Sequence, residues 1–89
     1  MLKIKFSGKF VKMYDELLEE DPELEDLIDK LRKIFVKNPK DTRLRNHSLS
    51  GKMVGQFAFS ITDDIRIVYK ITGKNTVRFL AIGPHEKVY

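Results

Sequence analysis

The sequence predicts an α+β architecture with the element order β-α-α-β-β-β. Three observations carry that prediction. Two stretches in the first half, one after Ser7 and one between Pro22 and Asn38, place apolar residues three and four apart, the helical period. Three segments of the last third alternate instead, the strand period. Short turn-forming sequences separate those three segments, so they form an antiparallel meander, with the helix pair packed on one face.

The elements follow in order. Leu2, Ile4 and Phe6 alternate with Lys3 and Lys5, a short half-buried strand. Ser7 then caps a helix in which Phe10, Tyr14, Leu17 and Leu18 share one face, with Val11 and Met13 on its flanks. Asp21-Pro22 starts a second helix, with Asp as N-cap and Pro at the first helical position. Its stripe is Leu24, Leu27, Ile28, Leu31, Ile34 and Phe35, and Asn38-Pro39 stops it. The short link makes the two helices an antiparallel hairpin. Asn38 to Gly55 has poor periodicity and is long for a connection, the kind of loop that often carries function. Phe57, Phe59 and Ile61 oppose Ala58 and Ser60; Thr62-Asp63-Asp64 turns the chain. Ile65, Ile67, Tyr69 and Ile71 form the next apolar face, opposite Arg66, Val68 and Lys70. After the turn Thr72–Asn75, Val77, Phe79 and Ala81 oppose Arg78, Leu80 and Ile82. Gly83-Pro84 ends that strand and His85–Tyr89 is a short tail.

Composition sets the bounds. With 89 residues, 42% hydrophobic, the chain is expected to fold as one domain spanning residues 1–89. Six Phe and three Tyr argue against disorder. The absence of cysteine excludes disulfides, thiolate catalysis and Cys-based metal centres. The longest apolar run, Phe79–Ile82, is far below the roughly 18 residues of a membrane span. The N-terminal residues interleave charge with apolar side chains, unlike a signal peptide. The expected location is therefore cytoplasmic, with no membrane contact.

Charge is segregated along the chain. Asp15 to Asp29 contains nine acidic residues and no Lys or Arg, while the remainder sets 17 basic residues against the other four acids. The acids at the start of the second helix favour the positive end of its dipole. A particle with one acidic end and a basic remainder attracts polyanions to one side, and nucleic acid is the obvious one. A solvated surface with scattered lysines has the same composition.

Few side chains are left for chemistry. Arg66 and Arg78 fall on the sheet face away from the core, on neighbouring strands, where two guanidiniums can clamp a phosphate. An ordinary solvent face accounts for the pair equally well. The only histidines, His47 and His85, lie in the basic loop and just beyond the last strand, off the apolar stripes. Exposed or capping roles fit them. So does proton transfer near neutral pH, which RNA cleavage by internal transesterification requires of one base and one acid beside cations. Tyr89 or Asp64 is placed to orient or share a proton. No phosphate-binding glycine loop, nucleophile elbow or metal-ligand spacing is present, so no metal and no cofactor is expected.

Three segments carry a resemblance. Asn46-His47-Ser48-Leu49-Ser50-Gly51 with Gly55, Asp63 to Lys70, and Ile82 to Tyr89 resemble the RelE/ParE superfamily of bacterial toxins, closest to its YafQ-type mRNA interferases. The β-α-α-β-β-β order resembles it too. The resemblance implies a type II toxin that cleaves mRNA, usually on the ribosome, and that a cognate antitoxin holds inactive. It implies catalytic roles for His47, Asp64, His85 and Tyr89, with Arg66 matching a strand arginine. His85 is the expected general acid and His47 or Asp64 the base or orienter. Arg43, Arg45, Lys52 and Arg78 are the expected RNA-binding cations. The branch has a further histidine where Ser60 stands and a tryptophan where Ile65 stands. The first change removes a possible proton carrier, the second a base-stacking platform. Two alternatives within the superfamily are a ParE-like toxin that binds DNA gyrase without nuclease chemistry and an inactive member that only binds an antitoxin.

Overall fold

Lys3–Phe6 opens the chain as strand β1 in the computed structural model, which describes residues 1–89. Helices α1 (Gly8–Glu20) and α2 (Leu24–Lys37) follow. Strands β2 (His47–Ser48), β3 (Gln56–Ser60), β4 (Ile65–Gly73) and β5 (Thr76–Pro84) come next, and a single helical turn, α3 (His85–Val88), ends the fold. No helix is long and apolar enough to cross a membrane.

The sheet order is β1-β5-β4-β3-β2. The meander β3-β4-β5 is antiparallel throughout, as the turn chemistry predicts. Thr62 Oγ1 accepts from the Asp64 and Ile65 backbone N–H groups, which fixes the first turn. The second narrows to Lys74 and Asn75, with Asn75 in the left-handed region at φ 64°. The meander gains two strands. β1 joins β5 in parallel, pairing Lys3 with Thr76 and Phe6 with Phe79, so the sheet is mixed. β2 joins β3, pairing His47 with Ala58. The long connection thus has structure of its own: β2 is flanked by two 3-10 turns, Thr42–Leu44 and Gly51–Met53.

Ser7 caps α1 as expected, its Oγ accepting from Phe10 N–H at 2.9 Å. The second cap differs. α2 begins at Leu24, two residues later than Asp21-Pro22 predicts, and Glu23 holds the cap position without a side-chain bond. Asp21 is already committed to α1, where its N–H closes the last turn on Leu17 O at 2.9 Å. Pro22 and Glu23 therefore form a linking turn before the regular helix.

The helices cover one sheet face. Phe35 is fully buried there, stacked on Phe59 with ring centroids 4.6 Å apart and edge-on to Tyr69 and Phe79 at 4.9 and 5.7 Å. Burying each such side chain is worth about 1.5–3 kcal/mol. The opposite face holds a smaller cluster of Ala58, Val68, Ala81 and Val88.

A bulge on β5 alters the faces expected from simple alternation. Val68 pairs with Ala81 but Tyr69 pairs with Phe79, so Leu80 is the extra residue. Beyond it the alternation inverts. Ile82 joins Phe79 in the main core, while Ala81 turns to the other face. The Ser7 hydroxyl donates to Leu80 O at 3.1 Å, tying the start of α1 to the bulge. His85–Tyr89 is also more than a tail: α3 folds back, and Val88 buries itself on the second cluster. Gly83, still paired with Arg66 near the end of β5, has φ +155°, a conformation open to glycine.

Candidate functional site

Four segments converge at the end of the sheet where β3 stops and β4 starts. Cross-strand pairing sets Ser60 opposite Arg66, and Arg66 opposite Gly83. Ser60, Arg66 and the turn into α3 thus form one row across three strands. β2 lies alongside and begins with His47. Arg45, His47, Ser60, Arg66, His85 and Tyr89 line one open cavity of about 240 Å³.

Each side chain is held by a local device. Arg66 Nη1 donates to Ser60 Oγ at 2.7 Å and Nη2 to Asp63 O at 3.0 Å. Guanidinium has five N–H donors, so the tether leaves others free for a ligand. Ser60 is only 3% exposed, and its hydroxyl would lack a buried partner without Arg66. Arg45 adopts a left-handed backbone, φ 49° and ψ 42°, and its Nη2 reaches Asp63 Oδ1 at 3.1 Å. This ion pair is exposed and adds at most about 1 kcal/mol, so it positions more than it stabilises. His47 Nδ1 lies 3.1 Å from Arg45 O. His85 and Tyr89 sit on the same side of one helical turn, their rings edge to face at 4.4 Å and 86°.

Two guanidiniums make the cavity cationic and two imidazoles stand beside them, with no carboxylate among the lining side chains. Burial raises the Tyr89 hydroxyl above its ordinary pKa, against a smaller lowering by the Arg66 charge. Tyr89 therefore stays protonated at neutral pH. Such a pocket can hold an oxyanion between fixed donors and exchange protons with it. No group of three His, Cys, Asp or Glu side chains stands together to hold a metal ion.

Other residues singled out in the sequence lie elsewhere. Asp64 is exposed in the β3–β4 turn and does not line the cavity. Arg43 is exposed and paired with Asp41, its Nη2 and Nε 2.8 and 3.0 Å from the carboxylate. These bonds and the Arg43 backbone N–H lower the Asp41 pKa to about 2. Lys52 sits exposed in the second 3-10 turn. Arg78 pairs with Lys70, on the same face as Arg66 but four residues along β4. At about 3.3 Å per residue that is about 13 Å, too far for the two arginines to clamp one phosphate. Ser60, the Arg66 tether, stands out in the sequence only as a residue opposite the Phe57, Phe59 and Ile61 face where the resembling branch has a histidine, with no sign of a bond to Arg66. Counting the hairpin register from the Thr62–Asp64 turn is the signal that pairs it with Arg66.

The family described as the bacterial toxin of the type II toxin–antitoxin system, YafQ, matches residues 2–89. The chain belongs to this family. It is therefore a toxin of a type II toxin–antitoxin system. Among solved structures, it is similar to a metal-bound toxin from Helicobacter pylori: 25% identity, TM-score 0.83, all of both chains covered. E. coli YafQ, alone and in the DinJ–YafQ complex, gives 22% identity and TM-scores of 0.82 and 0.79, covering 100% of this chain and 99% of that one. A YoeB/ParE toxin from Agrobacterium tumefaciens gives 20% identity and 0.80, covering 94% of this chain and 99% of that one. These likenesses show the shared fold. No curated protein matches the sequence.

Proposed function

We propose that this YafQ-family toxin is a metal-independent endoribonuclease that cleaves mRNA by internal transesterification. The observation that supports it best is the meeting of His47, Arg66, His85 and Tyr89 around one cationic cavity. His47 takes the proton of the ribose 2′-hydroxyl. The 2′-oxygen attacks the adjacent phosphorus, and the bond from phosphorus to the 5′-oxygen breaks. His85 gives a proton to that leaving oxygen, so the products are a 2′,3′-cyclic phosphate and a 5′-hydroxyl. Arg66 stabilises the charge that develops on the phosphorane, with donors already fixed by Ser60 and Asp63 O. Tyr89, held neutral, donates a hydrogen bond or stacks on a base. Asp64 lies outside the cavity, which leaves His47 as the base in this scheme.

Ribosome-bound mRNA in the cytoplasm is the substrate the family resemblance favours. A cognate antitoxin is the expected protein partner, by analogy with the DinJ–YafQ assembly. An acidic segment that covers the cavity would quench its cations and block the imidazoles together.

His85→Ala tests the reading. The variant keeps its fold by circular dichroism, loses growth arrest on induction, and slows RNA cleavage by about 10²–10⁴-fold. Cleavage at the wild-type rate would overturn the assignment. Primer extension on cellular mRNA, run beside a DNA supercoiling assay, separates a nuclease from a gyrase-directed toxin.

A further inference from the structure

We propose that Asn46 and Tyr69 form a positioning clasp that fixes the tautomer and location of His47, an inference that rests on the nuclease reading. Tyr69 lies on the helix-covered face of β4, only 5% exposed, with its ring stacked on Phe57 at 5.5 Å. Its hydroxyl is not needed for that packing. It donates to Asn46 Oδ1 at 3.0 Å and accepts from Asn46 Nδ2 at 2.7 Å. The second Nδ2 hydrogen goes to Pro39 O at 2.8 Å, just past the end of α2. The amide of Asn46 is thereby satisfied on three sides and joins β4, the end of α2 and the long loop.

Asn46 immediately precedes His47, the first residue of β2. Side chains of successive extended residues point to opposite sides. Asn46 thus reaches toward the helix-covered side while His47 faces the cavity. Arg45, on the other side of Asn46, has the left-handed backbone that only its surroundings can maintain. That conformation aims Arg45 O at His47 Nδ1. A carbonyl oxygen only accepts, so Nδ1 carries the hydrogen and Nε2 presents its lone pair. A base facing the cavity needs that tautomer, whereas free imidazole favours hydrogen on Nε2. The clasp on one face of β2 therefore selects the chemistry on the other.

The test uses the full chain and two readouts. Nitrogen-15 NMR of the neutral wild-type imidazole is expected to show His47 with hydrogen on Nδ1. In Tyr69→Phe, which keeps the ring, the Nε2–H form returns. Cleavage of a short RNA then loses about 10–100-fold in kcat with KM unchanged. Asn46→Ala carries the same test from a partly exposed loop position should Tyr69→Phe fold poorly. The double variant is expected to lose no more than the worse single one, because both act through one device. An unchanged tautomer in both single variants, or wild-type kcat in both, would overturn the clasp. Wild-type protein that cleaves no RNA, yet shows the tautomer change in the variants, would overturn the nuclease reading and leave the clasp standing.

Discussion

Arg66 enters the cavity with part of its fork already engaged, and this makes it a fixed donor instead of a mobile charge. Lysine at that position keeps the charge but has no planar fork to share between Ser60, Asp63 O and a phosphate. Arg66→Lys is expected to lower kcat on a short RNA by about 10²-fold, with the unfolding midpoint little changed. Retention of full activity would show that charge alone suffices. At this scale motif and geometry coincide, since His47, His85, Arg66 and Tyr89 all stand in the three segments that resemble the family and all line the one cavity. What the motifs left out was distance along a strand. Alternation assigns Arg78 to the same face as Arg66, but only register shows that it pairs with Lys70, far from the cavity. Ser60 is the converse case, a residue that the motifs mark only as a lost histidine and whose use appears opposite Arg66.

Among the elements, the connection between α2 and β3 was the least legible, because its order comes from side-chain to backbone bonds without any period. Asp41 caps the first 3-10 turn by accepting from Arg43 N–H at 3.0 Å, and the Arg43 guanidinium closes on the same carboxylate. Its pKa falls from an ordinary 3.8 to about 2 in the folded chain. A depressed acid stabilises the native state above its unfolded pKa, and that contribution is lost as the pH falls through the folded one. Urea midpoints of Asp41→Asn should therefore show a shallower acid limb between pH 4 and 2 than wild type. Parallel curves would mean that the pair contributes nothing to folding. The bulge at Leu80 was equally hidden, since Phe79 to Ile82 is apolar at every position and offers no alternation to break. The helices, by contrast, read clearly from their stripes, because Phe35, Leu31 and Ile28 repeat at the spacing that the core demands.

For the molecule as a whole, the acidic stretch Asp15–Asp29 spans the α1–α2 link, while the cavity and the cations of its sheet face lie on other elements. Binding of RNA to that face should weaken with salt, since each phosphate neutralised releases counterions. For single strands the logarithmic slope is about −0.7 per contact. Arg78→Ala is expected to weaken RNA binding and make the slope shallower by about 0.7, measured by fluorescence anisotropy across salt concentrations. An unchanged slope would place the RNA path elsewhere. The fold class was legible from periodicity alone, yet the parallel seat of β1 against β5 was not, because it joins segments more than seventy residues apart and no local pattern encodes such a partnership. That seat carries a consequence for biosynthesis. A translating ribosome produces Lys3–Phe6 long before Thr76–Phe79 exists, so β1 must wait, its greasy side chains unhoused, until the strand that receives it has been made. His85 and Tyr89 emerge later still, and a half-made copy of this chain therefore has no completed cavity with which to act.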